Sequence, residues 1–430
     1  MKIEPASRLD GHIGVPGDKS VSHRALLIGA LTEGETRVSH WGRSGDTEST
    51  LGVVRALGVR VDEEDVDTLV VHGVGLRGLR APEGPLDCGN AGTLVRLISG
   101  ILAFQEGRFE LSGDESLSRR PMGRIVLPLA RMGAALAATD GCLPMTIEGS
   151  PLTGIDYTLP VASAQVKSAI LLAGLGAHGR TTVNEPTPTR DHTELMLESA
   201  GAKITRRSGS VSVEPGGPLS LPEVLVPGDI SSAAPFLAAA AVLPGSTLTV
   251  HDLGLNPLRT GLLDVLTRMG ARVGILNKRR VAGELIGDVE VTGGELVATT
   301  LEAAEIPRLV DEVPLVALLA SMAHGTSRIT GAEELRAKET DRIDATTTAL
   351  RAMGQHVEAT ADGFVIRGVP ARPRGGSIDA ARDHRIAMLG AVAGVVSREG
   401  VRVADAECAA ISFPGFYDVL RNVARSGDIG

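Results

Sequence analysis

A glycine that closes an apolar helix and introduces a Thr- or Val-rich strand recurs six times along this chain, and this recurrence limits the fold more than any other feature. The copies read "LLIGALTEGETRVSH", "LISGILAFQEGRFELSG", "AILLAGLGAHGRTTVNE", "LAAAAVLPGSTLTVHD", "LVALLASMAHGTSRITG" and "LGAVAGVVSREGVRVAD". Their punctuating glycines are Gly34, Gly107, Gly179, Gly245, Gly325 and Gly400, spaced 73, 72, 66, 80 and 75 residues apart, close to one sixth of 430. A helix that ends in the left-handed conformation strains a side chain but not a glycine, which explains the residue type. The six helices are apolar nearly all round, so each is expected to lie buried inside a domain.

A second series interleaves with the first. It comprises amphipathic helices closed by Gly58, Gly133, Gly201, Gly270 and Gly354 and followed by strands, as in "VVRALGVRVD" and "LTRMGARVGI". A sixth such helix, "FYDVLRNVARSG", is followed by no strand in the sequence pattern. The N-terminal "MKIEPA" is the expected substitute, with residues 1–13 packing on the last repeat. The tetrapeptide Val-Pro-Gly-Asp occurs at 15–18 and again at 226–229, in register with the repeat boundaries. Pro fixes φ and Gly frees it, a pairing suited to hinges. The expectation is an α/β fold of six repeats arranged three plus three. A discontinuous domain would hold residues 1–14 plus 228–430, an inserted domain residues 15–227, with hinges near 14–17 and 226–229.

Composition narrows the partners. Hydrophobic residues make up 43% of the chain, enough for substantial cores, while aromatics at 2% leave little for stacking on single-stranded nucleic acid. The formal charge of −9 provides no global field for nucleic acid or an anionic membrane, so any anion site must be a local cluster. Cys88, Cys142 and Cys408 form neither a disulfide framework nor a CxxC metal pair, which points to a reducing compartment. No apolar leader opens the sequence, and runs such as "AAPFLAAAAVL" fall short of the roughly 20 residues of a membrane span. A soluble, cytoplasmic monomer is expected, with no nucleic-acid or membrane partner.

Polar clusters sit where buried helices begin. "PGDKSVSHRA" supplies Lys19, Ser20, His23 and Arg24; Asp18 stands where a phosphate-binding P-loop needs glycine, so that motif is rejected. "GLGAHG" closes a helix instead of opening one, so it is a cap and not a dinucleotide fingerprint. "DCGNAGTLVR" is a small-residue turn around Gly92, and "SLSRRPMGR" carries Arg119, Arg120 and Arg124. Asp311 and Glu312 precede an apolar helix and read as caps. "AKETDR" gives Lys338, Glu339, Asp341 and Arg342, and "RDHRIAM" gives Asp383, His384 and Arg385. Taken singly, most of these are ordinary helix starts. Taken together, and if the repeats are alike, six helix N-termini and their cations face one interdomain cleft suited to polyanionic substrates.

Seven of these stretches, "PGDKSVSHRALL", "GNAGTLVR", "SRRPMGR", "ASAQVKSAILLAGL", "TRDHTELM", "AKETDRI" and "DHRIAM", resemble in order the 5-enolpyruvylshikimate-3-phosphate synthases of the enolpyruvyl transferase family. The resemblance implies a two-domain inside-out α/β barrel of inverse α/β repeats with ligands between the domains. It implies transfer of the enolpyruvyl group of phosphoenolpyruvate to the 5-hydroxyl of shikimate 3-phosphate, with release of phosphate and no metal or organic cofactor. By the same resemblance Lys19, Ser20, Arg24, Ser163, Gln165, Arg190, Asp311 and Lys338 hold shikimate 3-phosphate. Lys19, Gly92, Arg120, Gln165, Arg342 and Arg385 surround phosphoenolpyruvate, and Asp311, Glu339 and Lys19 are catalytic. Ligand-induced closure about the hinges would follow from mutual repulsion of the cleft cations.

Ile411, Ala164 and Glu334 depart from residues found at those positions in some members. Two alternatives stand beside this reading: enolpyruvyl transfer to UDP-N-acetylglucosamine, and a non-catalytic repeat protein that binds phosphorylated metabolites. The first relies on a cysteine in the loop before its Arg-Pro motif, and "SGDESLSRRP" has none.

Overall fold

The structure is a computed structural model that describes residues 1–426. Each apolar stretch forms a helix: α1 Lys19–Ala30, α2 Gly92–Leu102, α3 Ala164–Leu175, α4 Ile230–Val242, α5 Val313–Ser321 and α6 His384–Val396. In α4 and α5 every residue is buried, as an all-round apolar helix requires. The six glycines that follow these helices have φ between +76° and +118°. Gly34, at +99°, has open space around its would-be Cβ, so the dihedral alone demands glycine there. The glycines of the amphipathic series take φ from +82° to +104°.

The sheets repeat one plan. Leu86–Asp87 lies parallel to Arg108–Ser112, with α2 as the crossover; Arg108–Ser112 is antiparallel to Cys142–Glu148, which in turn pairs with Ala135–Thr139. The same order of one parallel and two antiparallel pairings holds for Asp156–Thr158, Thr181–Asn184, Ser210–Val213 and Ile204–Arg207. It holds again for Thr300–Leu301, Thr326–Ile329, Phe364–Arg367 and His356–Ala359. Parallel pairing needs a long crossover and antiparallel pairing a short turn, so each repeat must carry a helix inside its parallel step.

Three repeats borrow strands from far along the chain; in the fourth, Arg8–Ile13 lies parallel to Thr247–Gly254. Glu223–Leu225 lies parallel to Glu33–Ser39 and completes the first sheet. In the last repeat Gly376–Asp379 lies parallel to Val401–Ala404, whose other edge takes Lys2–Ile3 antiparallel, with Ile3 opposite Val401. The expected stop after the last amphipathic helix needs correction. Phe416–Val423 is followed by a two-residue strand, Ala424–Arg425, antiparallel to Arg8–Leu9. Two residues are too few to leave a periodic signal.

The chain divides into two compact units. One comprises Met1–Pro16, Gly228–Arg279 and the chain from Leu285 onward; the other comprises Gly17–Pro227 with Arg280–Glu284. Two of the four crossings fall between the Pro and Gly of a Val-Pro-Gly-Asp tetrapeptide; the other two bracket the short stretch Arg280–Glu284. Each unit has its own hydrophobic core, built around α4, α5 and α6 in the first and α1, α2 and α3 in the second. Among the described residues no helix is long and apolar enough to cross a membrane.

Candidate active-site residues

The aspartate of each tetrapeptide caps the helix that follows it. Asp18 accepts from the Val21 amide and Asp229 from the Ser231 amide, both at 2.9 Å. Gly17 tolerates no side chain, since a Cβ there would stand 2.0 Å from the His40 carbonyl oxygen. Lys19 therefore begins α1 in a fixed position, and its ammonium lies 2.7 Å from Asp46 Oδ2. One turn on, the buried Arg24 donates through Nε to Thr193 Oγ1 (2.6 Å), through Nη2 to Ser168 Oγ (3.0 Å) and through Nη1 to the Ser20 carbonyl (2.8 Å). Burial lowers the Arg24 pKa to about 10, which still leaves it cationic at neutral pH. His23 beside it is fully buried against Thr50 Oγ1 (2.6 Å), and burial pushes its pKa down to about 3. It is a neutral core residue.

The turn before α2 and the start of α3 meet in the same unit. Gln165 Oε1 accepts from Arg96 Nη1 at 2.5 Å, and its amide nitrogen donates to Thr93 Oγ1 at 3.0 Å. Arg120 Nη2 donates to Asn90 Oδ1 at 2.8 Å. A Cβ on Gly92 would sit 3.1 Å from Arg96 Nη1 and 3.2 Å from Arg120 Nη1, so the absent side chain leaves room for both guanidiniums. Ser163 caps α3, its hydroxyl accepting from the Val166 amide at 3.4 Å, and Ala164 is the first residue of that helix. Arg190 lies between Thr189 and the helix His192–Ser199, close enough to Arg24 to disfavour its charge. The Arg119–Arg120–Arg124 group does not act as a set: Arg119 pairs with Glu115 at the surface and Arg124 is exposed. Arg96 and Asp46 escaped the sequence reading. Arg96 was within reach, because it stands one helical turn beyond Gly92.

In the other unit the reading of Asp311 and Glu312 as caps is corrected. Asp311 lies in the short 3-10 turn Val310–Glu312, and Glu312, at the cap position of α5, makes no capping hydrogen bond. Pro314, lacking an N–H, already removes one of the amides a cap would serve. Arg259 draws the carboxylates elsewhere, standing 3.4 Å from Asp229, 3.8 Å from Asp311 and 3.7 Å from Glu312. The buried Glu312 also accepts from the Ser231 hydroxyl.

Arg342 is the hub of this second cluster. Its side chain is 2% exposed, with Asp311 Oδ1 at 3.2 Å, Glu339 Oε2 at 2.6 Å and Asp383 Oδ2 at 2.8 Å. Burial opposes its charge, but Asp383, Glu339 and Asp311 together outweigh that and hold its pKa above the usual value. Lys338 Nζ lies 3.6 Å from Asp311 and 3.2 Å from Glu334. Arg385, the second residue of α6, places its amide on Asp383 (2.8 Å) and donates through Nη1 to the Ser231 carbonyl (2.7 Å). The Glu339 side chain is 30% exposed, and Ile411 stands exposed at the end of the 3-10 turn Ala406–Ile411. Arg259 and Ser231 were missed; "LRTG" and the α4 start carry no signal beyond ordinary helix chemistry.

The repeated α/β plan matches the fold of solved enolpyruvyl transferases. The enolpyruvyl transferase NikO from Streptomyces tendae superposes with a TM-score of 0.77 over 98% of this chain and 96% of its own, at 19% identity, a likeness of fold alone. The match sharpens with the family model for EPSP synthase (3-phosphoshikimate 1-carboxyvinyltransferase), which covers residues 3–420. The solved EPSP synthase from Acinetobacter baumannii aligns with a TM-score of 0.90 and 40% identity, over 99% of this chain and 98% of its own. The 3-phosphoshikimate 1-carboxyvinyltransferase of Acidithiobacillus ferrooxidans is 49% identical over 414 residues, 96% of this chain and 95% of that protein. That of Alkalilimnicola ehrlichii is 46% identical over 430 residues, 100% of this chain and 95% of the relative. The chain belongs to the EPSP synthase family. It is a transferase of the shikimate pathway, and it moves the enolpyruvyl group of phosphoenolpyruvate to shikimate 3-phosphate.

Proposed function

We propose that this chain carries out the transfer by addition and elimination at the 5-hydroxyl, with Asp311, Glu339 and Lys19 as its catalytic groups. The single observation behind this reading is that Asp311 and Glu339 both hydrogen-bond one buried guanidinium, that of Arg342. Two carboxylates on a shared cation are held apart in fixed positions, as an acid and a base in one reaction must be.

In the addition step the 5-oxygen forms a bond to C2 of phosphoenolpyruvate as its proton passes to Asp311, while the C2–C3 π pair takes a proton from Glu339 to give a methyl group. In the elimination step the C2–O bond to phosphate breaks, its electrons leave with phosphate, and the departing phosphate takes up the proton held by Asp311. The methyl returns a proton to Glu339, and the C2–C3 double bond is restored. Lys19 would supply electrostatic stabilisation to the departing charge and hold both substrates, as the resemblance implies. Arg120, Arg342 and Arg385 would hold the carboxylate and phosphate of phosphoenolpyruvate, with Gly92 leaving space and Gln165 between the substrates. Ser20, Arg24, Ser163, Gln165, Arg190, Asp311 and Lys338 would hold shikimate 3-phosphate.

Phosphate release from phosphoenolpyruvate tests the reading, with shikimate 3-phosphate and UDP-N-acetylglucosamine offered as rival acceptors. Release is expected with the first acceptor alone. Glu339→Gln should reduce it by about 10²–10⁴-fold, the usual contribution of a general acid, with an unchanged circular dichroism spectrum. Turnover within threefold of the parent would remove Glu339 from the chemistry.

A further inference from the structure

Lys167 is among the most deeply buried charged residues of the chain, at 1% exposure, and the reaction gives it no task. It lies on α3, two residues after Gln165. Its ammonium donates to Glu185 Oε2 at 3.0 Å and to the Thr189 carbonyl at 3.1 Å, and it stands 2.8 Å from Glu194 Oε1. Three N–H groups therefore meet three protein oxygens, which leaves none for a ligand.

Two of the oxygens it meets, those of Glu185 and Thr189, belong to the segment that leads into Arg190. Glu185 spans that segment, its second oxygen accepting from the Thr189 amide at 3.2 Å and from the Thr189 hydroxyl. Thr189 is thus tied by carbonyl, amide and hydroxyl, and Arg190 is the next residue along. Glu194, on the helix after Arg190, is buried with one oxygen lacking a hydrogen-bond partner, and burial raises its pKa. The neighbouring Ser168 and Thr193 bond to each other at 2.7 Å and together hold the Arg24 guanidinium. One face of α3 and the start of helix His192–Ser199 therefore hold the Arg24 guanidinium, and α3 also ties the residue before Arg190, two of the cations assigned above to shikimate 3-phosphate.

We infer that Lys167 is a positioning residue for the transfer, its buried ammonium fixing the Glu185–Thr189 segment so that Arg190 is held ready for the phosphate of the acceptor. The inference rests on the assignment of Arg190 to shikimate 3-phosphate. Stability alone is a poor explanation for such a group, because buried ion pairs are commonly replaceable by apolar residues without loss. A lysine with two carboxylates and a carbonyl does, however, impose one geometry on the backbone it grips.

The test compares Lys167→Met, Glu185→Gln, Arg190→Ala and the double variant Glu185→Gln/Arg190→Ala. Shikimate 3-phosphate binding is read by calorimetry, KM for phosphoenolpyruvate by turnover, and the thermal midpoint for each protein. Glu185→Gln keeps one acceptor oxygen where the carboxylate had two, so it breaks either the Lys167 or the Thr189 end of the tie with little change in volume and serves if Lys167→Met does not fold. Loss of the tie should weaken acceptor binding by about tenfold or more, the scale of one charge-assisted hydrogen bond, and leave KM for phosphoenolpyruvate within threefold. The double variant should bind no more weakly than Arg190→Ala alone, since the tie then has nothing to position. Two results overturn the inference: folded Glu185→Gln with parental acceptor affinity, or losses in the double variant that simply add. Parental affinity in Arg190→Ala would instead defeat the assignment on which the inference rests.

Discussion

Arg24 and Arg342 are equally buried, each 2% exposed, yet they keep opposite company. Arg24, in the inserted unit, is held by two hydroxyls and a carbonyl, and burial lowers its pKa to about 10. Arg342, in the other unit, is held by Asp311, Glu339 and Asp383, which raise its pKa. Neutral partners fix a guanidinium without spending its charge, so that charge is free for an anionic ligand. Carboxylate partners neutralise the guanidinium and are themselves held in place, which suits proton transfer. Under the proposed function, one repeated architecture would supply a cation held by neutral groups for the acceptor and a cation held by carboxylates beside the chemistry.

Replacing each arginine by methionine is the sharpest way to break this comparison. Arg342→Met would leave three carboxylates around one apolar side chain and should cost about 3–5 kcal/mol of stability, the price of an uncompensated buried charge. Arg24→Met should cost far less, because Ser168 and Thr193 already bond to each other, but acceptor binding should fall steeply. Equal losses in urea titrations of the two variants would erase the distinction. Next in size, Asp311→Asn should lower kcat by about 10²–10⁴-fold while shikimate 3-phosphate still binds within tenfold; single-turnover kinetics with calorimetry would show whether both fall together.

The inserted unit should also be the acid-sensitive one. His23 has a folded pKa of about 3 against 6.5 unfolded, so below pH 6.5 the unfolded chain binds the proton first. This share of stability is complete above pH 6.5 and is lost as pH falls towards 3, by about 2 kcal/mol between pH 6.5 and 5. Denaturant midpoints measured across that window should flatten in His23→Asn, and an identical slope in parent and variant would refute the assignment. The smallest effect concerns the repeat itself. Gly34→Ala should cost about 1–2 kcal/mol from its left-handed backbone, whereas Gly217→Ala, with open space and no positive φ, should be nearly silent in thermal melts.

The periodic part of the molecule was legible in the sequence. The helices α1 to α6 and the glycines between them follow from apolar runs and from the steric need at positive φ, both of which are local properties. The aspartates of the two tetrapeptides were legible as landmarks but not as caps, because capping depends on an amide two or three residues on turning back to the carboxylate. Lys19, Arg120 and Arg342 stood out as cations near helix starts, whereas Arg259 and Asp46 did not. Their significance comes from partners far along the chain, such as Asp229 and Asp311 for Arg259, and no window of sequence contains that information. Glu312 misled for a related reason: it has a cap's position but is drawn to Ser231 and Arg259.

The strand Lys2–Ile3 has a consequence for how the chain is made. Met1, whose amino group donates to the Val403 carbonyl at 2.6 Å, leaves the ribosome 402 residues before its partner. At about 5–20 residues per second the wait is tens of seconds. For the later part of that time Gly17–Pro227 is complete while Lys2–Ile3 has no edge to join, so nascent chains arrested shortly before residue 400 should expose residues 1–7 to protease and protect Gly17–Pro227.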